Sequence, residues 1–346
     1  MRKITYYQAL NEALHQEMER DSTVFIYGIG IPDHKHFFGT TAGLAEKFGS
    51  DRCFDTPISE DAMTGFGLGA AVNGMRPIHT HMRVDFMLLA MNQLANMVSS
   101  FRYGSGETLK APLVIRAVIG RSWGQSYQHS KSMQSTFAHI PGLKVVMPTT
   151  PRDAKGLLIS AIRDDNPVIF IEHRLLYYIE DQVPETDEVI PLGEANFLRR
   201  GDDISIVATS WMCVEAVHAA DLLAKRGISV EVIDPRTISP FNDQLIVESV
   251  EKNKHCIVVD NDWVNCGFSA EVAARVSERC FHSLKSPVTR IGFAFTPCPC
   301  TKPLENIFYP NAKTIVRAIE SKLGLKSMDL SSEIFYDHQN KFKGPF

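Results

Sequence analysis

Asp55-Thr56-Pro57-Ile58-Ser59-Glu60-Asp61-Ala62-Met63-Thr64-Gly65-Phe66-Gly67-Leu68-Gly69-Ala70-Ala71 places one carboxylate, Glu60, where a predicted strand, Arg52 to Asp55, gives way to a helix of small residues around 61–73. Ser59-Glu60-Asp61 ahead of such a run is a good helix start, because a hydroxyl and acidic side chains complement the free N–H groups of a first turn. A carboxyl group fixed beside apolar neighbours is also a proton-handling device. Both readings stand on these residues alone.

Outward from this segment, helical and strand patterns alternate. Residues 5–20 read as a helix, Val24 to Tyr27 as a strand, Ala42 to Phe48 as a helix, Pro77 to Thr80 as a strand and Phe86 to Phe101 as one long helix. The strand Pro112 to Val118, a loop over 120–142, the strand Leu143 to Met147, a helix over 152–164 and the strand Val168 to Glu172 follow. Strands separated by helices imply βαβ crossovers, and so an α/β domain with a doubly wound, mostly parallel sheet. An acidic, proline-containing stretch from Arg174 to Leu192 reads as a linker. A second, smaller α/β alternation then begins with the strand Asp203 to Thr209 and closes with a helix over 311–323. The predicted organisation is a first domain over 1–185, a second over 186–326 and an aperiodic tail over 327–346.

With 346 residues, the chain is too long for one ordinary core. A formal net charge of −4, with no basic stripe interleaved with aromatics, argues against nucleic acid as a partner. Seven cysteines, odd in number and without a C-x-x-C pair, suggest neither a disulfide framework nor a zinc ribbon, and point to a reducing cytoplasm. No apolar run approaches the ~18 residues of a membrane span, so neither export nor membrane insertion is expected.

Three patterns have ordinary explanations beside their chemical ones. Gly65-Phe-Gly-Leu-Gly-Ala70 fits a loose G-x-G-x-x-A dinucleotide fingerprint, yet it falls inside the helix after Glu60. His34 with His36, and His79 with His81, would each share one face of an extended strand and could ligate a metal, but no third and fourth ligands accompany them. Cys298-Pro-Cys300 reads as a stiffened turn with two incidental thiols.

A family resemblance rests on phrases along the whole chain: Phe54-Asp-Thr-Pro-Ile-Ser-Glu60, Gly74-Met-Arg-Pro-Ile78, Gln128-His-Ser-Lys-Ser132, Ala138-His-Ile-Pro-Gly-Leu-Lys-Val-Val-Met-Pro148, Val232-Ile-Asp-Pro-Arg-Thr-Ile-Ser-Pro240 and Gly267-Phe-Ser-Ala-Glu-Val-Ala-Ala-Arg275. In order and spacing, residues 3–324 resemble the beta subunit of the thiamine-diphosphate-dependent 2-oxoacid dehydrogenase component, of pyruvate, branched-chain or acetoin type, in the transketolase-like superfamily. The resemblance implies a pyrimidine-binding domain followed by a transketolase C-terminal-like domain. It implies that Glu60 hydrogen-bonds the aminopyrimidine of thiamine diphosphate and that Phe86 lies against that ring. It implies that His129 faces the thiazolium side and assists the bound intermediate and its transfer to the acceptor, a task that suits an imidazole with an ordinary pKa near 6.5. The bland alternatives are a core aromatic for Phe86 and a surface-loop histidine for His129, with His139 as an example of the latter.

The resemblance further implies that Leu113, Ala161, Ile162, Asp164 and Asn166 wrap a potassium ion through mostly backbone oxygens, although a helix end meeting an Asn-Pro corner serves water equally well. The Gly-Asp-Gly phrase with which relatives hold diphosphate and magnesium is not in this sequence. An alpha subunit would bring those ligands in an α2β2 assembly, and a lipoyl acyltransferase would accept the acyl group after decarboxylation. Departures gather on the substrate side: Ile29 and Thr80 stand where the family usually has acidic residues, and Trp123 and Tyr127 where its loop is richer in glycine. A split transketolase-like or acyloin-forming carboligase subunit, or a non-catalytic scaffold homologue, are the alternatives.

Overall fold

The computed structural model describes residues 1–121 and 125–335; Trp123 and the end of the predicted tail, 336–346, lie outside the described residues. In chain order the strands of the first part are β1 (Arg2–Thr5), β2 (Val24–Gly28), β3 (Cys53–Phe54), β4 (Arg76–His81), β5 (Val114–Ile119), β6 (Lys144–Val146), β7 (Val168–His173) and β8 (Glu180–Val183). Those of the second are β9 (Asn196–Arg199), β10 (Ile204–Ala208), β11 (Val230–Asp234), β12 (Thr237–Ser239), β13 (Cys256–Trp263) and β14 (Thr289–Phe293). One sheet has the order β12-β6-β7-β5-β4-β2-β3, the other β14-β13-β10-β11-β9. Among the described residues, only β12 and β9 run antiparallel to their neighbours in these sheets. The chain thus forms two α/β domains, as the alternation predicts.

Helices cover both faces of the first sheet, so its central strands are buried throughout, as β5 and β7 are at every position. Within those apolar runs, Arg116 and Glu172 neutralise each other completely out of solvent. Arg116 Nε donates to Glu172 Oε1 at 2.6 Å, and the Tyr177 hydroxyl donates to Glu172 Oε2 at 2.9 Å.

Four features differ from the sequence reading. The single helix predicted over 86–101 is instead a succession of α (Val84–Met87), 3-10 (Leu88–Ala90), π (Gln93–Val98) and α (Phe101–Gly104) turns. Ser99 explains part of it: its hydroxyl takes the Ala95 carbonyl at 2.8 Å while its N–H reaches Leu94, five residues back. The stretch read as a linker contains β8, which pairs antiparallel with β1. The loop over 120–142 holds a short helix, Gln134–Ala138. Finally β12, from the second half, adds itself to the edge of the first sheet. No helix among the described residues is long and apolar enough to cross a membrane.

Candidate active site

Parallel strands β2, β3, β4, β5 and β7 all deliver their carboxyl ends to one edge of the sheet, the edge at which open α/β sheets bind ligands. Glu60 opens the helix Glu60–Val72 just beyond β3. Ser59, at the capping position, makes no side-chain cap. Tight packing explains Gly67: a Cβ there would run into the Tyr27 hydroxyl, which donates to the Met63 carbonyl at 2.9 Å. The central glycine of the dinucleotide-like stretch therefore serves helix-on-strand contact.

Glu60 is half-buried in a narrow crevice with Ile29, Met63, His79, Thr80, Met82 and Phe86 among its walls. Its carboxylate makes no hydrogen bond or ion pair with any described residue. Phe86 follows β4 on the turn from Met82, and its ring meets the imidazole of His129 edge-on, with centroids 5.2 Å apart. Three residues distant in sequence are thereby brought together. His129 follows a 3-10 turn, Ser126–Gln128, and its Nδ1 is buried without a partner. Burial and then the nearby Arg83 charge hold its pKa below the ordinary value, with Asp85 opposing. His139, by contrast, is exposed.

His79 and His81 share a face of β4, with ring centroids 4.2 Å apart, and His79 stacks on Tyr27 at 4.6 Å. Burial and then His81 hold His79 well below its usual pKa, and burial lowers His81 to about 4. Both are neutral rings at pH 7. His34 and His36 do not lie on a strand as the pairing idea required; they sit in a run of turns, with His36 at a φ of 46°. Among the described residues, no group of three or more His, Cys, Asp or Glu is placed to hold a metal.

Comparison with known proteins matches residues 2–180 to the family "Transketolase, pyrimidine binding domain" and residues 193–315 to "Transketolase, C-terminal domain". The acetoin:2,6-dichlorophenolindophenol oxidoreductase subunit beta of Cupriavidus necator is 43% identical, over 92% of this chain and 96% of that protein. The 2-oxoisovalerate dehydrogenase subunit beta of Bacillus subtilis is 40% identical, over 92% of this chain and 98% of that protein. The chain belongs to the beta-subunit family of thiamine-diphosphate-dependent 2-oxoacid dehydrogenases. Also similar is the mitochondrial pyruvate dehydrogenase E1 component subunit beta of Ascaris suum, 39% identical over 93% of this chain and 91% of that one. In fold, a solved "Split gene transketolase, inactive beta4 tetramer" matches with a TM-score of 0.74 at 20% identity, covering 94% of this chain and 99% of the other.

This beta subunit carries buried charged groups beyond the strand ends that the sequence reading did not single out. Arg83 is 4% exposed; its Nη1 donates to the Gly120 carbonyl at 3.0 Å, and its Nη2 is buried without an acceptor. Asp85 pairs through Oδ1 with Lys131 at 3.3 Å, its Oδ2 remaining unpaired, and burial raises its pKa against the pull of Lys131. Arg174, at the end of β7, is lowered to about 9 by burial and then by the charge of Arg83. Arg121, after β5, lies 4.6 Å over the Tyr309 ring and 3.8 Å from Glu305. The available signal was position: each lies shortly after the carboxyl end of a parallel strand.

At the corner expected to hold potassium, Leu113 accepts from Val168 N at 3.0 Å, and Asn166 donates twice to Asp164 Oδ1 at 2.8 Å. Arg76 Nη1 donates to the carbonyls of Ile162 at 2.9 Å and Asp164 at 3.0 Å. Lys144 pairs with the Asp164 carboxylate. Two cationic side chains therefore serve this corner, a role for Arg76 that the sequence alone did not suggest.

Proposed function

We propose that this chain is the beta subunit of a thiamine-diphosphate-dependent 2-oxoacid dehydrogenase component, which decarboxylates a 2-oxoacid and passes the acyl group to a lipoyl acceptor. The observation that carries this reading is the convergence of Glu60 and Phe86 on one crevice, with His129 against the Phe86 ring. The chemistry of the walls suits a planar ring with a hydrogen-bonding edge, since Phe86 and Met63 are apolar and Glu60 is an uncommitted acceptor. Glu60 would hold a proton at a ring nitrogen of the coenzyme's aminopyrimidine, and Phe86 would lie against that ring. When bound, thiamine diphosphate supplies the nucleophilic carbon and the electron sink for carbon–carbon cleavage. His129, neutral at pH 7, is suited to take or return a proton at the substrate's oxygen.

To an alpha subunit we assign the diphosphate and magnesium ligands, in an α2β2 assembly, and to a lipoyl acyltransferase the acyl group. Potassium at the Leu113, Ala161, Ile162, Asp164 and Asn166 corner would share two carbonyls with Arg76. Exchanging potassium for sodium should then lower the melting temperature of the assembled protein, and no change removes the ion from the proposal.

Co-expression with the alpha partner tests the main reading by measuring lipoyl-domain acylation against ketol formation from 2-oxoacids. Acylation that falls about 10²–10⁴-fold in Glu60→Gln supports it, that being the range for loss of a proton-transfer group. Ketol as the sole product would transfer the chain to the carboligase reading, and turnover indifferent to Glu60→Gln would sink both.

A further inference from the structure

The crevice has one carboxylate, Glu60, on its walls, because Ile29 and Thr80 contribute no charge. Two buried nitrogens of the strand and turn that wall it have no hydrogen-bond partner among the described residues: His81 Nε2 and Arg83 Nη2. Arg83 is the charged one. It lies on the turn between Met82 and Phe86, both of which line the crevice, and its charge is felt at His129, whose ring packs on Phe86. No carboxylate of a described residue comes within ion-pair distance of it; Asp85 is engaged with Lys131. Arg174 adds a second buried guanidinium close enough to repel it. A guanidinium taken out of water with an N–H unsatisfied is strongly disfavoured unless an anionic acceptor completes it, and Arg presents its N–H fork in the plane that suits a carboxylate.

We propose that Arg83 is a specificity-determining residue of this site, and that its Nη2 receives the carboxylate of a 2-oxoacid, so that the beta subunit selects an anionic substrate over a neutral hydroxyketone such as acetoin. This rests on the 2-oxoacid reading above, and chooses among the substrates named for the relatives. A cation that holds the carboxylate also resists its departure as carbon dioxide. Loss of Arg83 therefore weakens substrate binding more than it slows turnover, and KM rises more than kcat falls.

The test uses the assembled complex with wild-type chain, Arg83→Met and Arg83→Lys. Turnover of pyruvate, 2-oxobutyrate, 2-oxoisovalerate and acetoin is followed by dye reduction, and calorimetry measures binding of oxamate, an unreactive 2-oxoacid isostere, beside its neutral methyl ester. Wild type is expected to prefer a 2-oxoacid to acetoin. Arg83→Met should raise the 2-oxoacid KM and the oxamate Kd by about 10–100-fold, the range for a hydrogen bond to a charged group, while acetoin and the ester change less than about 2-fold. Arg83→Lys should recover part of the loss, and it replaces Arg83→Met if the latter does not fold. Unchanged oxamate affinity in the variants, no oxamate binding by wild type, or a wild-type preference for acetoin overturns the proposal. Arg83-dependent oxamate binding without turnover of any substrate is instead a failure of the dehydrogenase reading.

Discussion

The ring of Phe86 meets the imidazole of His129 edge-to-face, with centroids 5.2 Å apart and planes at 80°. That contact joins the turn after β4 to the loop after β5, and it fixes His129 beside the crevice holding Glu60. The aromatic thus has two surfaces at work, one in the crevice and one against the His129 ring.

Phe86→Ala should weaken thiamine diphosphate binding by about 3–10-fold, the value of an aromatic contact beyond its area. It should also let water reach His129, whose pKa then rises toward 6.5 because burial is the leading cause of its depression. Coenzyme titration reads the first effect. The acid limb of the rate profile, moving to higher pH, reads the second.

His81 couples stability to pH with a definite sign. Above about 6.5, folded and unfolded imidazoles are both neutral and His81 contributes nothing. Between about 6.5 and the folded value of about 4, the unfolded state takes the proton first, so stability falls as pH falls, by on the order of 3 kcal/mol in total. Glu215 and Asp234, both raised to about 7 by burial, act oppositely in that window, losing stability as pH rises. Urea unfolding of wild type against His81→Gln at pH 7, 6 and 5 isolates the term; a constant difference would contradict it.

Breaking the Arg116–Glu172 pair should be costly because both side chains are completely buried. Arg116→Leu leaves Glu172 charged in a low-dielectric core and should cost about 3–5 kcal/mol, whereas Arg116→Leu with Glu172→Leu should recover much of that loss. Denaturant midpoints on the two variants decide between a strained pair and an indispensable one.

Gly67→Ala ought to lose stability despite alanine's better helix propensity, since the added Cβ meets the Tyr27 hydroxyl. Removing that oxygen tests the cause. In a Tyr27→Phe background the same substitution should become milder by about 1 kcal/mol or more, measured by a double-mutant cycle.

Much of the molecule was legible from the chain. Apolar periodicity located β2, β4, β5, β7 and β10, because strands buried on both faces and their crossover helices are written in local sequence. The family phrase around Glu60 and the position of Phe86 were equally visible, and the structure brings both to one crevice. Short antiparallel pieces were not. β1 finds β8 some 180 residues later, and β12 joins the sheet of the other half, through backbone groups that carry no local pattern.

Sequence by itself determined the alternation of buried parallel strands with helices and the presence of a carboxylate at a strand-to-helix turn, because both depend on neighbours along the chain. Only the tertiary structure decided that Arg83 keeps a buried, unpaired N–H beside His129, that Arg76 serves the Asp164 corner, and that His81 is a neutral ring. Those outcomes depend on which polar groups are stripped of water and which partners arrive from distant segments, and desolvation is a property of the folded surroundings rather than of the residue.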